Sequence, residues 1–169
     1  ALVGRSIAGK FVVEALIASG GAGTVYRARQ LALDRTVALK VLHQDVARDA
    51  HFVERFKREA RAASRLDHPN SVRVFDFGHV DESLLYLAME YVEGRTLHDV
   101  LKDGRIEPLR AARIAAQIAA GLGAAHRLGI VHRDVKPANV MLAASEPDEE
   151  PVVKIVDFGL AKLPPGRFH

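Results

Sequence analysis

FVVEALIASGGAGTVYRARQ, residues 11–30, followed by RTVALKVL at 35–42, is a set of short β-type runs broken by glycine, and it decides the fold of the first half of the chain. Three antiparallel strands are the simplest arrangement. In the first connection, Gly20, Gly21 and Gly23 let backbone N–H groups approach a phosphate without side-chain obstruction, and they suit a tight hairpin turn equally well. The next residues, TVYRA, are strand-like and no Gly-Lys-Ser or Gly-Lys-Thr follows, so a dinucleotide-binding unit or a Walker loop fits poorly.

Working outward, a helix is predicted from about Ala50 to Leu66, with Phe52, Phe56 and Ala63 on one stripe and His68-Pro69-Asn70 ending it. Two more strands, SVRVFDFGHV (71–80) and LLYLAMEYV (84–92), flank a turn at Asp81 and Glu82. Composition shifts after Glu93 and Gly94. A short helix capped by Thr96 and a long alanine-rich helix from about Leu109 to Leu128, closed by Gly129, are predicted there. NVMLA (139–143) and VVKIVDF (152–158) form a hairpin with the acidic tip SEPDEEP. The plan is α+β: a five-stranded lobe with one helix over residues 1–92, a linker near residues 90–94, and a mainly helical lobe over 93–169. A cleft between two such lobes is a favoured ligand site.

Composition removes several function classes. With 169 residues, 49% of them hydrophobic, the chain can bury the core of about one domain. No apolar run approaches the roughly 18 residues that span a bilayer, and ALVGRSIAGK lacks a signal-peptide core, so a soluble, cytoplasmic chain is expected. The absence of cysteine excludes disulfides and thiolate zinc sites, and no two of the 8 histidines stand at helical ligand spacing. The net charge of +3 is dispersed among acids, and no nucleic-acid partner is expected.

Charged residues at apolar positions carry the chemistry. Lys40 interrupts VALKVL, where a charge is costly unless it is paired or serves a ligand, although an edge-strand lysine reaching out to water would look the same. Glu59 falls nearly on the apolar stripe of its helix, between Phe56 and Ala63. An inward acid needs a cation, and Lys40 is the available one; the alternative is an exposed glutamate. HRDVKPAN, residues 132–139, crowds two cations, an acid and an amide into a segment that Pro137 makes an extended loop. Asp157 follows 18 residues after Asn139, at the end of an apolar strand. Hard oxygens from Asn139 and Asp157 suit Mg²⁺ bound together with substrate phosphates.

The ordered set SGGAGTVY, VALK, an inward Glu59, HRDVKPAN and DFG resembles the eukaryotic-like serine/threonine protein kinases, particularly their bacterial members, through essentially the whole chain. The resemblance implies a bilobal protein kinase-like fold with a complete β-rich N-lobe and an incomplete helical C-lobe, acting as a non-specific serine/threonine kinase on protein hydroxyls. It implies ATP with Mg²⁺ or Mn²⁺, and protein partners that include a second copy of the chain. Lys40, held by Glu59, would contact the α- and β-phosphates beneath the loop from Ile17 and Ala18 through Ser19, Gly20, Gly21 and Ala22 to Gly23. Val25 and Ala38 would sandwich adenine above Met141, with Met89 as gatekeeper and the backbones of Glu90 and Val92 as hinge. Asp134 would orient the attacking hydroxyl, Lys136 would neutralise the γ-phosphate, and Asn139 with Asp157 would hold the metal. His132 and Phe158 look structural, and Arg133 resembles the arginine that meets an activation-loop phosphate. Ala18 and Ala22 depart from the family pattern, which loosens the expected grip on the phosphates. A non-catalytic nucleotide-binding scaffold and a small-molecule phosphotransferase of similar fold are the rival readings.

The start at Ala1 and the stop in PPGRFH suggest a piece of a longer protein whose peptide-docking part lies beyond His169. Some of Ile114, Ile118 and Leu122 should then lack their covering helix. Residues 1–169 alone are expected to aggregate, to self-associate through this face or to remain partly molten, and to bind ATP weakly at most. Sedimentation and autophosphorylation assays check this, and a monodisperse monomer with ordinary kinase rates on a protein substrate would contradict it.

Overall fold

A computed structural model describes residues 2–20, 23–42, 44–80, 84–144 and 149–157. The turn at Asp81 and Glu82, most of the acidic tip, Gly21, Ala22 and Phe158 lie outside the described residues. The chain divides into two units. Among the described residues, those up to Ser64 together with Val74–Tyr91 form the first, and Arg65–Arg73 together with residues 92–157 form the second.

The first unit is an antiparallel sheet of β1 (Ser6–Ile7), β2 (Phe11–Ser19), β3 (Gly23–Gln30), β4 (Arg35–Leu42), β5 (Val74–Val80) and β6 (Leu84–Glu90), in the order β1-β2-β3-β4-β6-β5. Six strands replace the five predicted. β1 is two residues long, too short to show alternation, and is held by the pairing Ser6↔Val12 and Ile7↔Phe11. A one-turn helix, α1 (Gln44–Ala47), was also unforeseen.

The pleat sends Tyr26 and Ala28 of β3, Val37, Leu39 and Val41 of β4, and Tyr86 and Ala88 of β6 into one core with Phe11 and Val13. Phe11 meets the Tyr86 ring edge-on at 5.6 Å. The Tyr86 hydroxyl donates to Asp76 Oδ2 at 3.1 Å, and Lys10 Nζ lies 3.0 Å from the same oxygen. Burial, with the Asp76 carboxylate beside it, pushes the Tyr86 phenol up.

Helix α2 (Ala50–Ala63) starts where Asp49 accepts hydrogen bonds from the N–H groups of His51 and Phe52. Its apolar stripe is buried at Phe52, Val53, Phe56, Ala60 and Ala63, and Phe56 meets Phe77 of β5 at 6.5 Å. The helix stops three residues short of the predicted Leu66. Leu66 is buried in the second unit against Ala124, Ala125 and Ile155, so the chain must leave the helix before it, and Ser64 Oγ closes the end by donating to Arg61 O at 2.7 Å.

In the second unit, Thr96 caps α3 (Leu97–Lys102) as predicted, its hydroxyl accepting from Asp99 N at 3.1 Å. Helix α4 (Pro108–Arg127) runs within one residue of its expected limits. Glu107 caps it with both carboxylate oxygens, on the N–H groups of Leu109 and Arg110, and these bonds hold the Glu107 carboxyl below its usual range. β7 (Gly94–Thr96), β8 (Val140–Ala143) and β9 (Val153–Ile155) form a small antiparallel sheet that includes the predicted hairpin. Ile114 packs on it against Val140, Leu142 and Val153 and is 4% exposed, so it is not among the uncovered residues. Ile118 and Leu122 are half-buried.

Helix α4 approaches the strand beside it through one glycine. A Cβ on Gly121 would stand 2.8 Å from the carbonyl oxygen of Asn70 and 2.9 Å from Ile155 Cδ1, whereas one on Gly123 would meet only the tip of Arg127 at 3.6 Å. The two glycines, two residues apart on one helix, therefore respond oppositely to alanine. Gly123→Ala should stabilise by about 0.5–1 kcal/mol through helix propensity, and Gly121→Ala should destabilise by about 1–3 kcal/mol through overpacking. Urea melts of the two variants decide it; shifts of the same sign would refute this packing.

Candidate active site

The glycine loop and Lys40 are positioned by strand register. Val25 pairs with Lys40, Lys40 with Leu87, and Ala38 with Met89, and residues paired across an antiparallel ladder share a face. Val25, Ala38, Lys40, Leu87 and Met89 thus lie together on the face opposite the core that holds Val37, Leu39 and Val41. This explains how a lysine sits inside an apolar run: it alternates with the core residues and is half-buried. Ala18 stands opposite Val25, and Ile17, Ala18, Ser19 and Gly20 are exposed.

The described glycines of the loop serve different ends. A Cβ on Gly23 would lie 2.4 Å from Val41 O, so glycine there is required by the approach of β3 to β4. Gly20 has nothing within 4 Å of such an atom and donates its N–H to Gly23 O at 3.0 Å, closing the turn. Ser19 Oγ and Thr24 Oγ1 stand 3.3 Å apart across it. Glu59 is half-buried on α2 between buried Phe56 and Ala60, and both Glu59 and Lys40 engage partners. Glu90 is the last residue of β6, and Val92 begins the second unit's long segment.

In the second unit HRDVKPAN wraps around a buried histidine. His132 is 1% exposed; its Nδ1 accepts the N–H of Asp134 at 3.1 Å and its Nε2 meets Val156 O at 2.7 Å. Accepting at Nδ1 leaves the proton on Nε2, which donates to Val156: a neutral ring joining two chain segments 24 residues apart. The predicted extended loop is instead a short 3₁₀ helix, Pro137–Asn139, begun by Pro137 and closed by the N–H of Asn139 on Lys136 O at 2.9 Å. That turn brings the polar groups together. Asn139, 7% exposed, donates from Nδ2 to Asp134 O at 2.9 Å and to Asp134 Oδ2 at 3.3 Å, and Lys136 Nζ lies 3.5 Å from the same Oδ2. Asn139 is left with its amide oxygen for a further partner. Asp157 comes two residues after β9 and is half-buried. Arg133 and Asp157 hold φ of 68° and 57°, conformations that non-glycine residues adopt at a cost and that cluster at functional sites.

Sequence reasoning missed the residues that hold this arrangement. Asn70 is buried, its Nδ2 donating to Gln117 Oε1 and to Val153 O, both at 2.9 Å, while Gln117 Oε1 also accepts the N–H of Val153 and Gln117 Nε2 donates to Pro151 O at 3.1 Å. Ile155 N–H donates to Asn70 O at 2.9 Å and Val72 N–H to Ile155 O at 3.0 Å, so residues 70–72 flank β9 on the side away from β8. A signal existed. Gln117 is a polar residue beside Ile114 and Ile118 on the inward stripe of α4, and a buried amide needs partners. Local pattern at His68-Pro69-Asn70 signals the end of a helix and says nothing of the partners of Asn70.

Among the described residues no three His, Asp or Glu side chains cluster as a metal site. The donors able to meet a cation are the amide oxygen of Asn139 and the carboxylate of Asp157, a hard-oxygen pair that fits a magnesium-type ion sharing its coordination with phosphate and water. Met141 is half-buried on β8, paired with Thr96 and Lys154.

Comparison with known proteins is consistent across sequence and structure. Serine/threonine-protein kinase pkn3 of Myxococcus xanthus is 49% identical over 164 residues, 95% of this chain and 29% of that protein. Serine/threonine-protein kinase PrkC of Bacillus subtilis is 42% identical over 161 residues, 95% of this chain and 24% of that protein. The chain thus spans about a quarter of the length of these curated relatives. The crystal structure of the Mycobacterium tuberculosis PknI kinase domain superposes with a TM-score of 0.82 at 34% identity, covering 95% of this chain and 62% of that one. The sequence profile of the protein kinase domain matches residues 11–166, nearly the whole length, and the chain belongs to the protein kinase domain family.

Proposed function

We propose that the protein containing this chain transfers the γ-phosphoryl group of ATP to serine and threonine hydroxyls of proteins on the cytoplasmic side, with residues 1–92 and 93–169 in its two lobes. The observation that carries the reading is the constellation around Asp134: a carboxylate oxygen 3.3 Å from the Asn139 amide and 3.5 Å from the Lys136 ammonium. Such an oxygen is held in one orientation, which is what a proton-accepting, aligning base requires.

In this reading Asp134 aligns the attacking hydroxyl and takes its proton, and Lys136 balances charge developing on the transferred group. Lys40, steadied by Glu59, draws the α- and β-phosphates into line, and the backbone of the loop from Ile17 to Gly23 covers them. Val25, Ala38, Met89 and Met141 supply apolar contacts to adenine, and the backbones of Glu90 and Val92 its hydrogen bonds. Asn139 and Asp157 hold Mg²⁺ or Mn²⁺, which when bound neutralises charge on the phosphate oxygens. No helix among the described residues is long and apolar enough to cross a membrane. Self-association of the protein belongs to the same reading.

Lys40→Met in the full-length protein should lower phosphoryl transfer at least about 100-fold while leaving the melting transition in place, because it removes a charge aimed at phosphate and keeps the aliphatic stem. Near-normal turnover by a folded variant would sink the assignment. Asp157→Asn and Asp134→Asn should fail differently. Mg²⁺ titrations of nucleotide affinity should show weakened metal-coupled binding for Asp157→Asn and little change for Asp134→Asn, and equal losses would remove the distinction between metal ligand and base.

A further inference from the structure

A groove lying wholly within the second unit is lined by residues that the active-site reading does not use. It holds about 640 Å³, within the roughly 300–1,000 Å³ of ligand sites, between α3, the turn joining α3 to α4, and β7 with β8. Its apolar lining includes Val100, Ile106 and Leu142, each packed with the Ile114 cluster.

The charges along the groove are unequal in what they leave available. Of its two acids, Asp103 is held by Arg95 at 2.7 Å, and Glu107 spends both oxygens on the N–H groups of Leu109 and Arg110. Arg95 is committed in turn to Asp103 and to Asp99 O at 3.0 Å. Arg105 and Arg110 are exposed and have no ion pair among the described residues. An apolar trough is therefore edged by two guanidinium groups that no described carboxylate engages, with its own two carboxylates satisfied from within. Arginine at such a margin pairs well with carboxylates, and an aliphatic floor takes a branched side chain.

We propose that this groove is a docking site for an acidic segment of a protein substrate, with a leucine or isoleucine side chain of that segment seated on Val100, Ile106 and Leu142 and flanking carboxylates on Arg105 and Arg110. The identity of the partner as a substrate rests on the kinase reading; the binding itself does not, so the two are measured apart.

The probe is a fluorescein-labelled peptide with leucines between glutamates, titrated with the full-length protein at about 0.15 M salt and followed by anisotropy. The double variant Arg105→Glu with Arg110→Glu should bind it at least about tenfold more weakly, as should wild-type protein tested with the leucines changed to serine. Melting and ATP affinity of the variant should be unchanged. A protein substrate bearing the segment should show a raised KM at unchanged kcat, and a short acceptor peptide without the segment should show neither change. If the double variant does not fold, Arg105→Ala and Arg110→Ala tested singly should each weaken peptide binding. Undetectable binding, equal affinity in a folded charge-reversed variant, equal affinity for the serine peptide, or charge-dependent binding to phosphatidylserine vesicles with none to the peptide would each overturn the docking site. Loss of activity with peptide binding intact would instead count against the kinase reading.

Discussion

The three-residue strand β9 is the element on which the second unit's chemistry depends. It pairs with β8 on one side and with residues 70–72 on the other, and the Asn70 and Gln117 side chains take up the backbone groups of Val153. Just past it, Val156 N–H donates to Asn139 O at 3.0 Å and Val156 O accepts from His132. A strand this short has too few ladder bonds to hold its own position, so side-chain amides and the imidazole supply the remainder. Their common result is that Asn139, Asp134 and the left-handed turn at Asp157 are tied to one strand end.

The polar residues that do this are buried, and burial makes them consequential. Asn70, Ser71, His132 and Asn139 are the buried polar side chains among the described residues, all in the second unit. Each makes hydrogen bonds, so the desolvation cost of burying it is offset, whereas removing one partner would strand the other. Such a network favours one arrangement over near alternatives, because a slipped register would leave several donors unmatched at once.

The first unit solves its placement problem with the pleat. One face of the sheet is closed by a large apolar cluster, and the opposite face carries Lys40 among Val25, Ala38, Leu87 and Met89. A one-residue slip would drive Lys40 into the core and expose Leu39, so the core itself enforces the orientation of the lysine. The α2 stripe, through Phe56 on Phe77, presents Glu59 on the same helix side as the residues that anchor it.

By itself the sequence determined everything that rests on local periodicity and on residue identity: the strands from 11 to 42, the two long helices, the Thr96 cap, the closing hairpin, and the polar residues of HRDVKPAN with Asp157. These are legible because alternation, helical spacing and capping act over a few neighbouring residues. Tertiary structure alone decided where α2 ends, since Leu66 is claimed by a core formed from residues near 124 and 155; that Ile114 is covered; and that Asn70 and Gln117 hold β9. Each of those outcomes depends on partners tens of residues away, and contacts of that kind leave no periodic trace in the chain because the hydrogen bond or packing energy appears only when the distant groups meet.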